Sequence, residues 1–452
     1  MAEVLTQPTA PRDALKRQRL GWYGYAWASH TFEVTVITVF MSRYLPSTAI
    51  NAVGDNGRLH VLGIPIAPGS LFTYVISLSS ISLFILLPIM GAITDRTGSK
   101  RAMLLGFGYL SAASVTAMWF VGRTDWQLGS ILMIVAYLTY SAAKVVSNSL
   151  LADLADADQR DKISSRGWAI SYVGGGILLA INFVFSFMID DKALLARVSL
   201  ASAGIWWAAF ALVPVFLLRN LPRSVPDRKI EGSVITAGFR ELGDTLRKLR
   251  AYPQSLLFLV AFLVYYDGIS TLTTLSADYG EKELHLSDQT LLSAILIVQF
   301  AAFGGALLLG RLSERWGAKR VISASLVVWI FVVVAAYFLQ VGSALQFYGL
   351  AMLLSIVLGG TQALSRSLYS NMIPRGKEAE FFSLYEVSSS GTSALGPLLF
   401  GLALQNTGSY RVAIFSLIAF FVVGLAIVLK VNVPKAVAAA GNTLPRSLSG
   451  KG

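Results

Sequence analysis

Gly91-Ala92-Ile93-Thr94-Asp95-Arg96-Thr97-Gly98-Ser99-Lys100-Arg101 and Gly310-Arg311-Leu312-Ser313-Glu314-Arg315-Trp316-Gly317-Ala318-Lys319-Arg320 are two versions of one loop. Glycine, acid, base, glycine and lysine recur in the same order, and all five pairs lie 219 residues apart. A single copy has little weight. Two copies, each following a long apolar run, point to an internal duplication. The first glycine permits a tight turn and close helix approach. The acid can pair with neighbouring arginines or helix N-termini. Gly91, Asp95, Arg96, Gly98 and Lys100, with Gly310, Glu314, Arg315, Gly317 and Lys319, are therefore candidate parts of a gate on the cytoplasmic side. Such a charged patch holds two halves together in one state and releases them in another. A polar turn serving only topology is the simpler alternative.

The surrounding sequence is unusually apolar. Of 452 residues, 55% are hydrophobic and 14% charged, and the mean hydropathy is +0.62. A soluble protein carries roughly 25% charged residues, because water-facing surface needs polar cover. The composition excludes a large soluble enzyme and a disordered chain. Twelve stretches reach the length of about 20 residues that a membrane helix needs: 22–45, 69–93, 102–122, 126–151, 166–189, 198–218, 254–276, 288–310, 321–340, 346–370, 379–404 and 409–431. They are continuous rather than alternating, which argues against a β-barrel. The first is full length behind a polar tail, so it is expected to remain as a helix rather than be removed as a signal. The expected fold class is an all-α integral membrane protein of 12 transmembrane helices in two six-helix bundles. A cytoplasmic tail (1–21), an N-terminal bundle (22–218), a cytoplasmic linker (219–253), a C-terminal bundle (254–431) and a second cytoplasmic tail (432–452) make up the chain.

The net charge of +12 would, in a soluble chain, suggest nucleic acid. Its placement argues otherwise. With alternating loops, 28 of the 37 lysines and arginines fall on the side of the termini and five on the other. This is the positive-inside pattern, so both termini are expected in the cytoplasm. The implied place is the inner (plasma) membrane of a bacterial cell. In the linker, Ile235, Phe239, Leu242, Leu246 and Leu249 form one apolar stripe, read as a helix lying on the membrane surface. A partly ordered linker is the alternative. Trp22, Trp119, Trp126, Trp206 and Trp207 fall at span ends as expected interfacial anchors. Asn51 to Ile66, with Gly54-Asp55-Asn56-Gly57, is expected to form a small external hairpin.

Cysteine is absent, and the three histidines, His30, His60 and His285, lack partners at metal spacing. No phosphate-binding G-x-x-x-x-G-K-[ST] sequence occurs. No metal and no cofactor are expected, and no nucleophile–base pair argues for an enzyme.

The duplicated loop resembles the signature loop of the major facilitator superfamily. Further stretches narrow the resemblance: Gly24-Tyr25-Ala26-Trp27-Ala28-Ser29 in the first span, Ser165-Arg166-Gly167-Trp168 and Tyr172-Val173-Gly174-Gly175-Gly176 in the fifth, and Tyr265-Tyr266-Asp267-Gly268 in the seventh. The most specific block runs from Gly359-Gly360-Thr361-Gln362 through Tyr385-Glu386-Val387-Ser388 to Gly401. Together these are similar to the bacterial "unknown major facilitator" family, related to fungal vacuolar amino-acid effluxers. The resemblance implies secondary transport of an amino-acid-like solute. One departure stands out. The family's first span carries an acid and an amide where this chain has Ala26 and Ser29.

An ionisable side chain inside a span is costly and by default a functional candidate. Glu33 lies near the middle of the first span, with His30 one turn before it. The pair is expected to take over the task of the missing acid and carry a coupling proton. A helix-holding ion pair is the alternative. Asp267 heads a polar stripe with Ser270, Thr271 and Thr274 in the seventh span. Lys144, with Asn148 on its face, can bind a carboxylate or pair with an acid across the cavity. Gln362 and Arg366 share a face of the tenth span, and Glu386 lies in the eleventh. Glu33, His30, Asp267, Thr271, Lys144, Asn148, Gln362 and Arg366 are the candidate substrate or proton-coupling residues, and Glu386 joins the candidate gate. The expected function is alternating-access transport of a small polar solute, an amino-acid-like zwitterion or organic ion, with proton coupling. The expected partners are that small-molecule solute, protons and the lipid bilayer, with no nucleic acid, and the protein is expected to be a monomer. A membrane sensor or assembly factor on the same fold is the alternative, and would bind without flux.

Overall fold

The computed structural model describes residues 12–55, 57–61, 63–219, 250–390 and 395–446. The amphipathic helix expected in the linker lies outside the described residues.

Long helices account for nearly all of the described chain. The first is one continuous helical run in three parts: α1 (Arg12–Thr31), a π-helical segment (Phe32–Met41) and α2 (Ser42–Val53). After a short hairpin come α3 (Leu71–Thr97), α4 (Lys100–Ala117), α5 (Trp126–Leu154), α6 (Arg160–Phe185), α7 (Lys192–Phe210) and α8 (Leu212–Leu217). The second half contains α9 (Pro253–Lys282), α10 (Asp288–Trp316), α11 (Ala318–Tyr337), α12 (Ala344–Asn371), α13 (Glu378–Ser390), α14 (Leu395–Thr407), α15 (Tyr410–Ser416), α16 (Ile418–Lys430) and the short α17 (Val433–Ala439).

Eleven helical stretches among the described residues are long and apolar enough to cross a membrane, against twelve expected. The difference is the first run. It is helical throughout, but Ser29, His30, Thr31, Glu33, Thr35 and Thr38 break its apolar character. Several of the other helices overrun the expected spans. α9, at 30 residues, is about 45 Å long, against a hydrocarbon core of about 30 Å. Many large apolar side chains face outward, among them Phe120, Phe216 and Phe331. In lipid such a surface is solvated.

The buried side chains form two main clusters. One is built from residues between Trp22 and Leu218. The other runs from Phe258 to Val437 and takes in Leu83, Leu87, Ala142, Val145 and Tyr172 from the first half. The seam between halves is made mainly by α6 against α10 and by α3 against α13. Glycines set its closeness. A Cβ on Gly91 would stand 2.5 Å from the Ala379 carbonyl oxygen, and one on Gly310 would stand 2.5 Å from Ser165 Cβ. The first glycine of each duplicated loop therefore meets a helix of the opposite half.

Two local expectations need correction. The hairpin forms, with Leu59–Val61 antiparallel to Ile64–Ile66. Val61 and Ile64 face each other across its turn, where Gly63 has φ 82, downstream of the Gly54–Gly57 stretch. Gly54, at φ 79, ends α2 instead, its N–H donating to the Ile50 carbonyl at 2.7 Å. Trp22 and Trp207 are fully buried rather than interfacial, while Trp119 is exposed.

Candidate functional site

The polar residues of the first run converge on α5. Lys144 Nζ lies 2.9 Å from Glu33 Oε1 and 3.1 Å from Glu386 Oε1, so it joins a carboxylate of each half. Tyr140 donates to Glu33 Oε1 at 2.5 Å. His30 Nδ1 lies 3.3 Å from Glu33 Oε2, and His30 Nε2 contacts Gln299 Oε1 of the second half at 3.3 Å. Charges at this depth are tolerable only when paired in this way. Glu386 is 1% exposed and also accepts from Ser390 Oγ at 3.0 Å.

Local structure explains how the cluster is held. Glu33 begins the π-helical segment, where Thr38 Oγ1 donates to the Glu33 carbonyl at 2.8 Å. Such segments are rare and concentrate at functional sites. The Gly174-Gly175-Gly176 run lets α6 close on α1. Added Cβ atoms there would lie 2.4 Å from the Trp27 carbonyl oxygen, 2.8 Å from His30 Cδ2 and 3.1 Å from Gln299 Cβ.

Arg366, on α12, reaches into the first half. It donates to Ser164 Oγ and the Ser164 carbonyl, both at 3.0 Å, and to Asn148 Oδ1 at 3.3 Å. Its guanidinium lies over the rings of Trp22 at 4.9 Å and Trp168 at 5.7 Å. Beside it a cavity of about 50 Å³ is lined by Ala26, Ser29, His30, Glu33, Lys144 and Asn148, among others. Gln362 is half-buried and makes none of the contacts of this cluster among the described residues.

Asp267 and Thr271 sit apart from this group, on α9. Asp267 Oδ2 accepts from the Gly396 N–H at 2.8 Å. Asp267 Oδ1 and Thr271 Oγ1 are buried without a partner among the described residues.

The duplicated loops do different things. Asp95 accepts from the Ala379 N–H at 3.1 Å and the Glu380 N–H at 2.8 Å, capping α13 of the other half. First-turn N–H groups have no intrahelical partner, and a carboxylate satisfies them while facing the helix dipole. Lys100 joins Asp153 at 2.8 Å and Glu378 at 3.6 Å. Gly98 ends α3 in the left-handed region at φ 59. In the second loop Glu314 makes, among the described residues, only a partly exposed pair with Lys162 at 3.5 Å. Gly317, at φ 80, ends α10, and Lys319 donates to the carbonyls of Leu429 and Val431 at the end of α16. Arg101, not Lys100, matches that last role by reaching the Val215 carbonyl at 2.7 Å. Arg96 is half-buried and Arg315 exposed.

Other bonds across the seam were not foreseen from sequence. Arg160 donates to the Ser370 carbonyl at 2.7 Å and Asn371 Oδ1 at 2.9 Å. Ser164 donates to the Ala363 carbonyl at 2.6 Å, and Ser367 to Asp161 Oδ1 at 2.6 Å. Arg160 looks like an ordinary loop cation in the sequence. Gln299, a lone amide in an apolar span, was the readable signal. The described ends of the chain meet on this face, where Arg19 reaches the Leu154 carbonyl at 2.8 Å and the Arg446 N–H reaches Asp158 Oδ1 at 2.7 Å. The opposite face has a cleft of about 880 Å³ between residues such as Arg43, Arg123 and Asp191 of the first half and Glu281, Asp288 and Leu292 of the second.

Residues 14–441 match the family model described as vacuole effluxer Atg22 like. The chain is 30% identical to the uncharacterized MFS-type transporter YxiO of Bacillus subtilis, over 91% of this chain and 94% of that one. It is 28% identical to autophagy-related protein 22 of Kluyveromyces lactis, over 92% and 93%. Among solved structures it is similar to the proton:xylose symporter XylE bound to 6-bromo-6-deoxy-D-glucose, with TM-score 0.67 and 14% identity over 92% and 94% of the two chains. It is also similar to the major facilitator superfamily transporter FucP in the outward conformation, with TM-score 0.65 and 13% identity over 92% and 98%. At such identities the structural likeness is one of fold.

Proposed function

This chain, an all-helical multi-pass membrane protein of the major facilitator fold, belongs to the Atg22-like vacuole effluxer family, and from that premise we propose that it is a secondary transporter working by alternating access. The observation that carries the reading is Lys144, shared between Glu33 of the first half and Glu386 of the second. A cation bound to both halves inside the spanning helices is a two-position element. When the halves part on the face of the termini, Glu386 leaves with the second half and Lys144 stays with Glu33. The Asp95 cap and the Arg160 bonds break in the same movement.

In this reading the first helical run, Arg12–Val53, is the twelfth span, with residues 22–218 and 254–431 as the two bundles. The excess of lysine and arginine on the side of the termini supports both lying in the cytoplasm of a bacterial cell. The face closed by Asp95 and Arg160 is then the cytoplasmic one, and the 880 Å³ cleft faces outward. The solute is small and polar, an amino-acid-like zwitterion or organic ion, in keeping with the mixed charges around the central cavity. Asp267 is the coupling-proton candidate, because one of its oxygens is buried without a partner among the described residues. Glu33 and His30 are the second candidate pair.

Purified protein in liposomes, given a labelled amino-acid panel with and without a pH gradient, tests this reading. Saturable flux that responds to the gradient supports it. The response should be lost in Asp267→Asn or Glu33→Gln. Binding without flux in any gradient contradicts transport and favours a sensor.

A further inference from the structure

Arg366 is a buried cation whose contacts are all neutral. It is 8% exposed and bonds a hydroxyl, a carbonyl and a carboxamide between two indole rings. Among the described residues no carboxylate lies within 4.0 Å of it. The other basic groups on the same cavity wall are engaged, Lys144 with Glu33 and Glu386, and His30 with Glu33. A buried guanidinium without a counter-charge is costly, and an anion brought to it recovers part of that cost.

The cavity beside Arg366 suits such an anion. Ser29, Asn148 and Ser171 line it with hydroxyl and amide groups, Ala26 adds only a methyl group, and the one carboxylate on its wall, Glu33, is already bonded to Lys144, His30 and Tyr140. The cavity volume of about 50 Å³ holds a group of a few heavy atoms, since a cavity needs roughly 10–15 Å³ on the same measure to admit one water. Guanidinium and carboxylate are matched planar groups, whereas a neutral amide lacks the charge.

We propose that this cavity is a carboxylate subsite in which Arg366 is the anion-binding residue. The solute is then a carboxylate anion or a zwitterion, which rests on the transport reading for what is carried but not for what is bound. Arg366 is the single lining residue from the second half among the described residues; every other comes from the first. A ligand seated there touches the second half at that wall through Arg366. Its differential affinity for the two states of the seam therefore resides in this residue, as a population shift requires.

Acetate and acetamide have the same shape and differ in charge, and both are small enough for the cavity. Purified wild-type protein is titrated with each at constant ionic strength in potassium chloride, reading tryptophan fluorescence (Trp22 and Trp168 flank Arg366) and melting temperature. Saturable binding of acetate, at least about tenfold tighter than acetamide, is expected. Arg366→Gln should weaken acetate by about tenfold or more, with partial recovery in Arg366→Lys. Ala26→Asp supplies a carboxylate from within and should abolish acetate binding in a protein that melts no lower than wild type. Equal binding of acetamide, undiminished acetate binding in Arg366→Gln, or no acetate binding to folded wild type overturns the proposal. The two readings separate cleanly. Flux of the amino-acid panel without acetate binding defeats the subsite and spares transport. Acetate binding without any flux does the reverse.

Discussion

Lys144 and Glu386 are bonded across the seam of the two halves, at 3.1 Å, while the same ammonium holds Glu33 of its own half at 2.9 Å. One cation is thus shared by two acids that belong to different bodies. Each acid depends on it, since a buried charge left alone is far more costly than a pair removed together.

Lys144→Gln should therefore be worse than Lys144→Gln with Glu386→Gln. The single change leaves the buried Glu386 carboxylate without its cation and half-buried Glu33 with only His30 and Tyr140 beside it, at a cost of about 3–5 kcal/mol. The double change removes one of them. Thermal unfolding in a double-mutant cycle checks this. Additive effects would mean that the two residues do not share the bond described.

Asp95 and Glu314 occupy equivalent places in the duplicated loops but should differ in consequence. Asp95→Ala removes the cap of α13, worth about 1 kcal/mol. Glu314→Ala removes a partly exposed pair worth about 0–1 kcal/mol. The buried Ser370, changed to cysteine in a chain that has no cysteine of its own, reports opening of that face by maleimide labelling. Labelling should rise about fivefold with Asp95→Ala and little with Glu314→Ala. Equal rises would restore the symmetry of the two loops.

Gly91→Val should open the same face by bulk rather than by charge. A Cβ there meets the backbone oxygen of Ala379, which has no side-chain rotamer to escape by. Overpacking of this kind costs about 1–3 kcal/mol. The same labelling should rise at least as far as in Asp95→Ala. An unchanged rate would show that the seam is looser than described.

At the mouth of the opposite cleft, Asp191 bonds Arg123 at 2.7 Å and caps α7 through the N–H groups of Ala193 and Leu194. The Arg123 bond holds its carboxyl below the usual carboxylate range. The stabilisation is therefore complete above about pH 4 and is lost as pH falls through the lowered value. Amide exchange in the first turn of α7 should accelerate at that acid end in wild type and at all pH values in Asp191→Ala. Exchange independent of both would remove this cap from the account.

Much of the architecture was legible because membrane spans are long, continuous and uniform. The polar first run shows the limit of that signal: Glu33 and its neighbours marked the site and at the same time lowered the apolar character that marks a span. The ionisable residues were legible too, since any charge inside a span stands out. Their pairing was not. Lys144 reaching Glu386, or Arg366 reaching Asn148, depends on how the two halves dock, and spacing along one helix carries no information about that. The duplicated loops misled in a further way. Their sequences are alike, yet Asp95 caps a helix and Glu314 does not, because pairing depends on the facing helix and not on the loop. Nor did composition foretell the π-helical segment at Glu33, a backbone choice made by packing.

The most direct measurement concerns the claim that the Lys144–Glu386 bond helps decide which face is open. Spin labels on cysteines at the exposed positions Asp156 and Arg375 give the distance between the halves on the face of the termini. The account predicts that Glu386→Gln moves the distribution toward longer distances than in the otherwise unaltered labelled protein. A distribution that stays the same in protein of undiminished stability would contradict it.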